Sequence, residues 1–246
     1  MKTALTFALS LLIGALLRDA NAQYVGAYFG GGVVLVPSGP NPAINYAVDR
    51  YNETRSWLDD EMDPIQSHMG YSFTLGAIFL NFGMEMEYAS YSSGTSEASG
   101  VQPVSGTRGK RTLWTDQGVF AINMYYLLEE PGESDAPFYH GPGFGFDFAS
   151  VSAYSAVGDG EGYDYADELN MYINLFYQFY FVIADDWDEP VFAIDARPFY
   201  SFGLIGEDYY PLNKAINSAT YAGDDMDKLY DSFSNLGVKA RLVYFF

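Results

Sequence analysis

The feature that most constrains this chain is a period-two alternation of large apolar residues with small or polar ones. In the run near residues 82–91, alternate side chains form two sets: Phe82, Met84, Met86 and Tyr88 against Gly83, Glu85 and Glu87. Eight such runs occur, near residues 24–36, 69–80, 82–91, 113–128, 137–151, 168–183, 190–204 and 233–246. Successive side chains of a strand point to opposite faces, so each run predicts a strand with one apolar face. Runs of about 10 residues are typical of strands that cross a bilayer at a tilt.

The segments between the runs alternate in length. Short connections fall near Asn81 and at residues 129–136 and 185–189, whereas the other gaps are long: 37–68, 92–112, 152–167 and 205–232. Strands joined in this way predict an all-β fold, an eight-stranded antiparallel up-and-down transmembrane β-barrel with short turns at one end and long loops at the other. Helices are predicted in two of the loops: one that starts at Asn41-Pro42 and carries Ile44, Val48, Tyr51 and Leu58, and one from Asp224 to Asp231.

The two faces of the predicted strands differ in volume. An eight-stranded barrel has little room inside, so the small and polar face should line the interior and the bulky apolar face should look outward toward lipid. A soluble barrel around an apolar cavity is the alternative. It would crowd many Phe and Tyr rings into a narrow interior, and the volume therefore favours the membrane barrel.

The amino-terminal residues have the pattern of an export signal. Lys2 gives a positive start, residues 5–17 form an apolar stretch, and Ala20-Asn21-Ala22 is a small-residue cleavage site. The apolar stretch is shorter than the roughly 20 residues of a membrane-spanning helix. We therefore predict a signal peptide at residues 1–22 and one barrel domain at residues 23–246, with both ends of the mature chain in the periplasm.

The chain ends in Tyr244-Phe245-Phe246, with aromatic residues at alternate positions up to a terminal Phe. Together with the eight alternating runs and the loop asymmetry, this ending resembles the small outer-membrane barrels of the OmpA/OmpX type. The resemblance covers essentially the whole mature chain. It implies a Gram-negative outer membrane as the location, contact with outer-membrane lipid, and recognition of Tyr244 and Phe246 by the barrel-assembly machinery.

Charged residues also occur at positions whose parity points into the predicted barrel: Glu85, Glu87, Asp147, Asp195, Arg197, Lys239 and Arg241. An unpaired charge in so narrow a space would be costly. All but Asp147 fall at similar heights. We therefore predict an ion-pair network that plugs the lumen, with a narrow ion path as the alternative.

The residue inventory excludes several functions. The chain has a formal net charge of −20, which makes nucleic acid an unfavourable partner, and it has no cysteine for a thiolate zinc site or a nucleophile. Of its two histidines, His68 is predicted at the loop-side rim, where neighbouring Ser67 would point to the opposite face, and His140 near the other end. We therefore expect no enzyme, and a lipid-modifying envelope enzyme ranks as the least favoured alternative.

The long loops are acidic and rich in aromatic residues. Acidic clusters occur at Asp59-Asp60-Glu61-Asp63, residues 159–164 and Asp224-Asp225-Asp227, but none has the ligand spacing of a calcium loop. No cofactor is expected, with weak Ca²⁺ or Mg²⁺ binding by these loops left open against a merely solvated surface. The loop aromatics could form a recognition surface for an extracellular ligand or could pack the loops together: Tyr51, Trp57, Tyr154, Tyr163, Tyr209, Tyr210 and Tyr221. The resulting hypothesis is a non-enzymatic outer-membrane barrel in surface interaction or envelope integrity, with a small pore or transport protein as the alternative.

Overall fold

The computed structural model describes residues 25–38, 42–129, 131, 138–183, 191–217, 229–231 and 234–246. Its elements in chain order are β1 (Val25–Ser38), α1 (Pro42–Glu53), β2 (Leu58–Asp60), β3 (His68–Phe79), β4 (Phe82–Ser93), β5 (Ser96–Val101), β6 (Arg108–Tyr126), β7 (Phe138–Val157), β8 (Tyr163–Val182), β9 (Val191–Gly203), β10 (Glu207–Asp208), α2 (Tyr210–Asn217), β11 (Tyr230–Asp231) and β12 (Ser234–Phe245). The predicted signal peptide, residues 1–22, lies outside the described residues.

Eight of the strands form a closed antiparallel barrel. Around the wall they follow the order β1, β3, β4, β6, β7, β8, β9 and β12, and β12 pairs back onto β1. The closing ladder runs from Tyr28 opposite Phe245 to Leu35 opposite Val238. Each wall strand therefore has a hydrogen-bonded partner on both sides, which removes the exposed edges of an open sheet. The predicted eight-stranded antiparallel barrel is confirmed.

The described residues Val25 and Phe246 and the turn between β3 and β4 lie at one end of the barrel, here called the terminal end, and α1, β2 and β5 lie at the other, the loop end. The predicted turn between β3 and β4 consists of Leu80 and Asn81, with Leu80 at a positive φ of 54°. Asn81 is tied to the next strand, because its Nδ2 donates to Leu127 O at 3.0 Å and its carbonyl accepts from Leu127 N at 2.7 Å. The predicted turn at 185–189, with Trp187, lies outside the described residues.

The alternation of the sequence separates the outer wall from the interior. In β7, Phe144 and Phe146 are exposed on the outside while Asp147 is buried inside. In β12, Leu236, Val238 and Leu242 are exposed while Lys239 and Arg241 are buried. The wall strands β6, β7 and β8 extend several residues beyond the predicted runs toward the loop end. There the backbone ladders continue, for example Arg111 opposite Val157, although the sequence no longer alternates in hydrophobicity.

A second hydrophobic core covers the loop end, in a region we call the dome: α1, α2, β2, β5 and residues 61–67. Its buried residues come from both helices, residues 61–67, β5, the residue before α2 and the extended wall strands: Ala43, Ile44, Ala47, Val48, Tyr51, Met62, Ile65, Ala98, Leu113, Ala153, Tyr209, Leu212 and Ile216. Among the described residues, neither helix has the length and hydropathy that crossing a membrane requires. The loop end is therefore closed by packed structure of its own.

The two predicted loop helices have different outcomes. The first is confirmed as α1, although Leu58 belongs to β2 and not to the helix. The prediction of a helix at 224–231 is wrong at its end, because Tyr230 and Asp231 form β11, which pairs with β10, whereas Leu229 is in a 3₁₀ turn. Residues 224–228 lie outside the described residues. In the same loop α2 forms, and Asp208 Oδ1 accepts the Tyr210 N–H at 2.8 Å and so caps its first turn.

Candidate functional site

Six charged side chains meet inside the barrel and form what we call the interior ion network: Glu85, Glu87, Asp195, Arg197, Lys239 and Arg241. All six are almost completely buried. Arg241 Nε donates to Asp195 Oδ2 at 2.7 Å, and its NH1 donates to Glu87 Oε2 at 3.2 Å. Lys239 Nζ donates to Glu87 Oε1 at 2.5 Å, and Arg197 NH1 bonds Glu85. Three carboxylates thus meet three cations.

The register of the strands decides which charges pair. Arg241 lies directly opposite Asp195, so these two pair across the β12–β9 ladder. Arg197 lies opposite Lys239, a like charge, and both side chains instead reach across the lumen to the two glutamates of β4. Two strands, β1 and β3, separate β4 from β12 in the wall. The network therefore ties opposite sides of the barrel together and fills the space between them.

The network also bridges an interruption in the wall. The β8–β9 ladder is broken where Tyr177 and Gln178 face Pro198 and Arg197, because proline has no N–H to donate. At this level the Arg197 Nε donates to Gln178 Oε1 at 2.7 Å, and the Gln178 amide bonds Asp195. Side chains of the lumen therefore connect the two strands where their backbones do not.

Asp147, the seventh charge predicted in the lumen, is buried but lies apart from the network. Its carboxylate accepts hydrogen bonds from Asn174 Nδ2 at 3.5 Å and Ser201 Oγ at 3.3 Å. Among the described residues it forms no ion pair, so it does not take part in the predicted network of seven. Lys239, the cation of β12 that acts on Asp147, is already engaged with Glu87.

A layer of tyrosines closes the terminal end of the lumen, and the sequence analysis did not predict it. Tyr125 OH donates to Tyr28 OH at 2.9 Å and lies 3.0 Å from Tyr180 OH, and Tyr28 OH donates to Glu85 Oε2 at 2.7 Å. The Phe245 ring packs on Tyr28 and Tyr180. Tyr28, Tyr125 and Tyr180 all fall at inward-facing positions of their strands, and that alternation is the sequence signal that could have revealed the layer.

Two glycines make room for this layer. A Cβ on Gly83 would lie 2.0 Å from Tyr125 Cζ, and one on Gly76 would lie 2.5 Å from the Tyr28 hydroxyl oxygen. Such separations are far shorter than any carbon contact that packed atoms tolerate. The small interior residues thus accommodate rings from neighbouring strands.

The two histidines lie on different faces of the wall. His68 is buried inside, with its Nε2 2.7 Å from Thr115 Oγ1 and its ring edge-on to Tyr91, while neighbouring Ser67 is exposed. His140 lies on the outer face, with its Nδ1 2.7 Å from Tyr177 OH. The described residues therefore do not assemble the serine, histidine and acid that hydrolysis of a lipid would require.

The dome is held by side chains that satisfy backbone groups. Arg55 donates to Tyr51 O at 3.1 Å and to Ile216 O at 2.7 Å, and thus caps the carboxyl ends of both helices. Its guanidinium lies 3.8 Å from the centre of the Tyr51 ring. Partial burial removes water from the group and lowers the pKa of Arg55 from its ordinary value. On α1, Asn45 and Asn52 each form a reciprocal pair of bonds with the backbone of residues 61–67.

The acidic cluster at residues 59–63 is partly neutralised by a cation, and the cluster at 224–227 lies outside the described residues. Asp59 and Asp60 lie 3.4 and 3.7 Å from the guanidinium of Arg108, and Glu97 lies 2.7 Å from Lys110 Nζ. The hydrogen bond to Glu97 raises the pKa of exposed Lys110. Within the described part of the chain, no group of three or more His, Asp or Glu side chains could hold a metal ion.

The aromatic residues at the carboxyl terminus lie on both faces of the wall. Tyr244 looks outward and packs against Phe29 and Phe192, with ring centres 5.4 and 5.0 Å apart. Phe246 is exposed, and its N–H donates to Ala27 O at 2.9 Å. The two predicted signal residues thus present their rings on the outside of the terminal end.

Seven chains of solved structures match this chain. The outer membrane protein OprG from Pseudomonas aeruginosa matches with a TM-score of 0.40 and 9% identity, over 93% of this chain and 99% of that chain. Ail, the attachment invasion locus protein of Yersinia pestis, solved in complex with the heparin analogue sucrose octasulfate, matches with a TM-score of 0.30 and 10% identity, over 92% of this chain and 100% of that chain. No protein-family model and no curated protein matches the chain. Its function is therefore inferred from its own residues.

Proposed function

We propose that this protein is a non-enzymatic barrel of a Gram-negative outer membrane, with its apolar outer wall in contact with lipid. The observation that carries the proposal is that every wall strand exposes large apolar side chains: Phe29, Phe73, Met84, Phe120, Phe146, Leu175, Ile194 and Leu242. Monomeric soluble proteins rarely expose contiguous apolar patches larger than a few hundred Å². A lipid environment makes the same surface favourable.

In this orientation the terminal end faces the periplasm and the dome faces outward. Cleavage after Ala22 would release a chain that the assembly machinery recognises through Tyr244 and Phe246. The tyrosine layer and the ion network fill the lumen, and the dome covers its loop end, which supports a structural or surface role over a pore. The exposed aromatics near the dome, such as Tyr163 and Tyr230, would supply the surface contacts.

Membrane location and conductance test the first half of the proposal. Expressed with its own amino terminus, the protein should fractionate with the outer membrane and lack residues 1–22 by mass spectrometry. Purified and inserted into planar bilayers, it should give no conductance steps under conditions in which a known porin conducts. Steady ion current from the unaltered protein would contradict this proposal and support the pore as the function instead.

The surface role is tested in a deletion strain. Loss of the protein should increase sensitivity to detergent or reduce adhesion, and the unaltered gene should restore the phenotype. Tyr163→Ala and Tyr230→Ala should fail to restore adhesion at unchanged protein level. Tyr126→Ala, which removes an exposed tyrosine at the terminal end, serves as the matched control. If both loop variants restore adhesion fully, these aromatics are not the contact surface.

A further inference from the structure

The described interior carries one more negative charge than positive. Among its described side chains, the buried carboxylates are Glu85, Glu87, Asp147 and Asp195, and the buried cations are Arg197, Lys239 and Arg241. The interior ion network accounts for three of each. Asp147 is the surplus carboxylate, and a buried charge without a counter-ion is expensive in free energy.

The neighbours of Asp147 do not supply the missing charge. Ala121 of β6 lies opposite both Glu87 on β4 and Asp147 on β7, so the nearest charged group along the wall is another carboxylate. Lys239 acts on Asp147, but its Nζ bonds Glu87. The hydrogen bonds that Asp147 accepts, at 3.5 and 3.3 Å, are long for bonds to a carboxylate.

Two buried amide oxygens of the neighbouring strands have no hydrogen-bond donor among the described residues: Asn174 Oδ1, whose own Nδ2 donates to Asp147, and Asn123 Oδ1, whose Nδ2 donates to Glu85 and Glu87. Both asparagines are completely buried and lie opposite Gly145, on either side of β7. Gly145 shares its inward face with Asp147, two residues along the strand. A Cβ on Gly145 would lie 2.0 Å from Asn123 Oδ1, so only glycine leaves this space to the amide oxygen. Ser201 of β9, which lies opposite Asn174 of β8, adds a hydroxyl oxygen that bonds Asp147.

We propose that this cluster binds a monovalent alkali cation, Na⁺ or K⁺, through the Asp147 carboxylate and the oxygens of Asn123, Asn174 and Ser201. A carboxylate together with amide and hydroxyl oxygens is a donor set suited to a hard cation, and it lacks the nitrogen or sulfur that transition metals favour. One surplus negative charge matches one positive charge. A divalent ion would leave the buried interior with a net positive charge and would find few of the six to eight oxygens that Ca²⁺ takes.

The proposal is tested by thermal unfolding of the full-length mature protein in detergent. The salts are NaCl, KCl and choline chloride at equal ionic strength, with trace divalent ions removed by chelation. Ligand binding to the folded state should raise the midpoint by about 3–5 °C for each tenfold rise in Na⁺ or K⁺ above the dissociation constant. Choline, which is too large for the cluster, should not substitute.

Two variants assign the effect to this cluster. Asp147→Asn has nearly the same shape but no charge, and it should remove the Na⁺ or K⁺ dependence while leaving the midpoint in choline unchanged or higher. Glu61→Gln removes an exposed carboxylate of the dome and should keep the full dependence. Equilibrium dialysis with radioactive ²²Na⁺, or with ⁸⁶Rb⁺ in place of K⁺, should find one ion bound to the unaltered protein and none to Asp147→Asn. If Asp147→Asn does not fold, Ser201→Ala, which keeps the charge, should weaken the binding.

Every other result overturns the proposal. A midpoint that depends on pH but not on Na⁺ or K⁺ would mean that Asp147 carries a proton instead. Stabilisation by Ca²⁺ or Mg²⁺ alone would reject a monovalent ion. Equal loss of the salt effect in Asp147→Asn and Glu61→Gln would show general screening of the acidic surface.

Discussion

The barrel and the dome place their hydrophobic residues in opposite ways. In the barrel, large apolar side chains cover the outside and charges fill the centre, as Phe146 and Asp147 show on adjacent positions of β7. In the dome, Ile44 and Leu212 are buried between the helices, and Asp49 is exposed. The same residue types therefore face outward in one region and inward in the other. An arrangement is stable or unstable according to whether the outer surface contacts lipid or water.

The two regions also differ in what a lost side chain leaves behind. In the barrel interior it leaves a buried charge with no partner, whereas in the dome it leaves a cavity or an uncapped helix end. Substitutions in the two regions should therefore lower the free energy of unfolding by different amounts. One kind should destabilise the barrel and the other the dome.

The largest effect is expected for Arg241→Ala. It leaves Asp195 without the cation opposite it and Glu87 without one of its bonds, so the free energy of unfolding should fall by about 3–5 kcal/mol. Urea unfolding in phospholipid vesicles measures this change. The matched control is Arg108→Ala, whose partners Asp59 and Asp60 are exposed, and which should change stability by about 1 kcal/mol or less. Equal costs would mean that the network does not stabilise the barrel.

Ile44→Ala tests whether the dome has a core of its own. Removing this completely buried side chain from α1 should destabilise the dome by about 2–5 kcal/mol. Limited proteolysis should then cut the region of α1, while the barrel keeps its heat-modifiable migration in gels. Asp49→Ala, on the exposed side of the same helix, should leave proteolysis unchanged. Loss of barrel migration in Ile44→Ala would show that the two regions unfold together.

A charge on the outer wall tests the orientation of the barrel. Leu175→Arg places a guanidinium on the exposed face of β8, and the cost at the middle of a bilayer should be about 2–4 kcal/mol. The change is measured by folding into vesicles. The control is Val104→Arg, at the exposed connection between β5 and β6, which should fold like the unaltered protein. Normal folding of Leu175→Arg would contradict a lipid-facing wall.

Arg55→Ala should affect the dome alone and by a smaller amount. It removes the bonds to Tyr51 O and Ile216 O, and hydrogen bonds that involve a charged group contribute about 1.5–3 kcal/mol. Amide hydrogen exchange should become faster in α1 and α2 and stay the same in the wall strands. Arg50→Ala, which removes a nearby arginine of α1 that forms a 3.6 Å ion pair with Glu53, is the control. Unchanged exchange in Arg55→Ala would rule out the capping role.

The smallest effect is expected in the tyrosine layer. Tyr125→Phe removes one hydroxyl that contacts those of Tyr28 and Tyr180, and it should lower the free energy of unfolding by about 0.5–1.5 kcal/mol. Tyr126→Phe alters the adjacent, outward-facing tyrosine and should have less effect on unfolding in urea. A larger cost for Tyr126→Phe would place the important hydroxyl on the outer surface instead.

The sequence predicted the barrel because the signal for its strands is local. A period of two over about ten residues identifies a strand and its faces, whatever lies beside it. The alternating gap lengths then identified the neighbours, as at the turn of Leu80 and Asn81. Local pattern failed in the last long loop, where Tyr230 and Asp231 were predicted as helix but form a strand, and where α2 was not predicted. That helix carries only eight residues, too few for a clear period.

Parity alone thus determined that charges such as Glu85 and Arg241 face inward. Only the tertiary structure decided that Arg197 reaches β4, that Asp147 has no cation beside it and that Tyr28, Tyr125 and Tyr180 meet. The reason is that pairing across a lumen depends on the register and closure of all eight strands together, whereas the face of a side chain depends on its own strand. A few residues of sequence specify which face a side chain takes, but pairing across the lumen exists only once the barrel is closed.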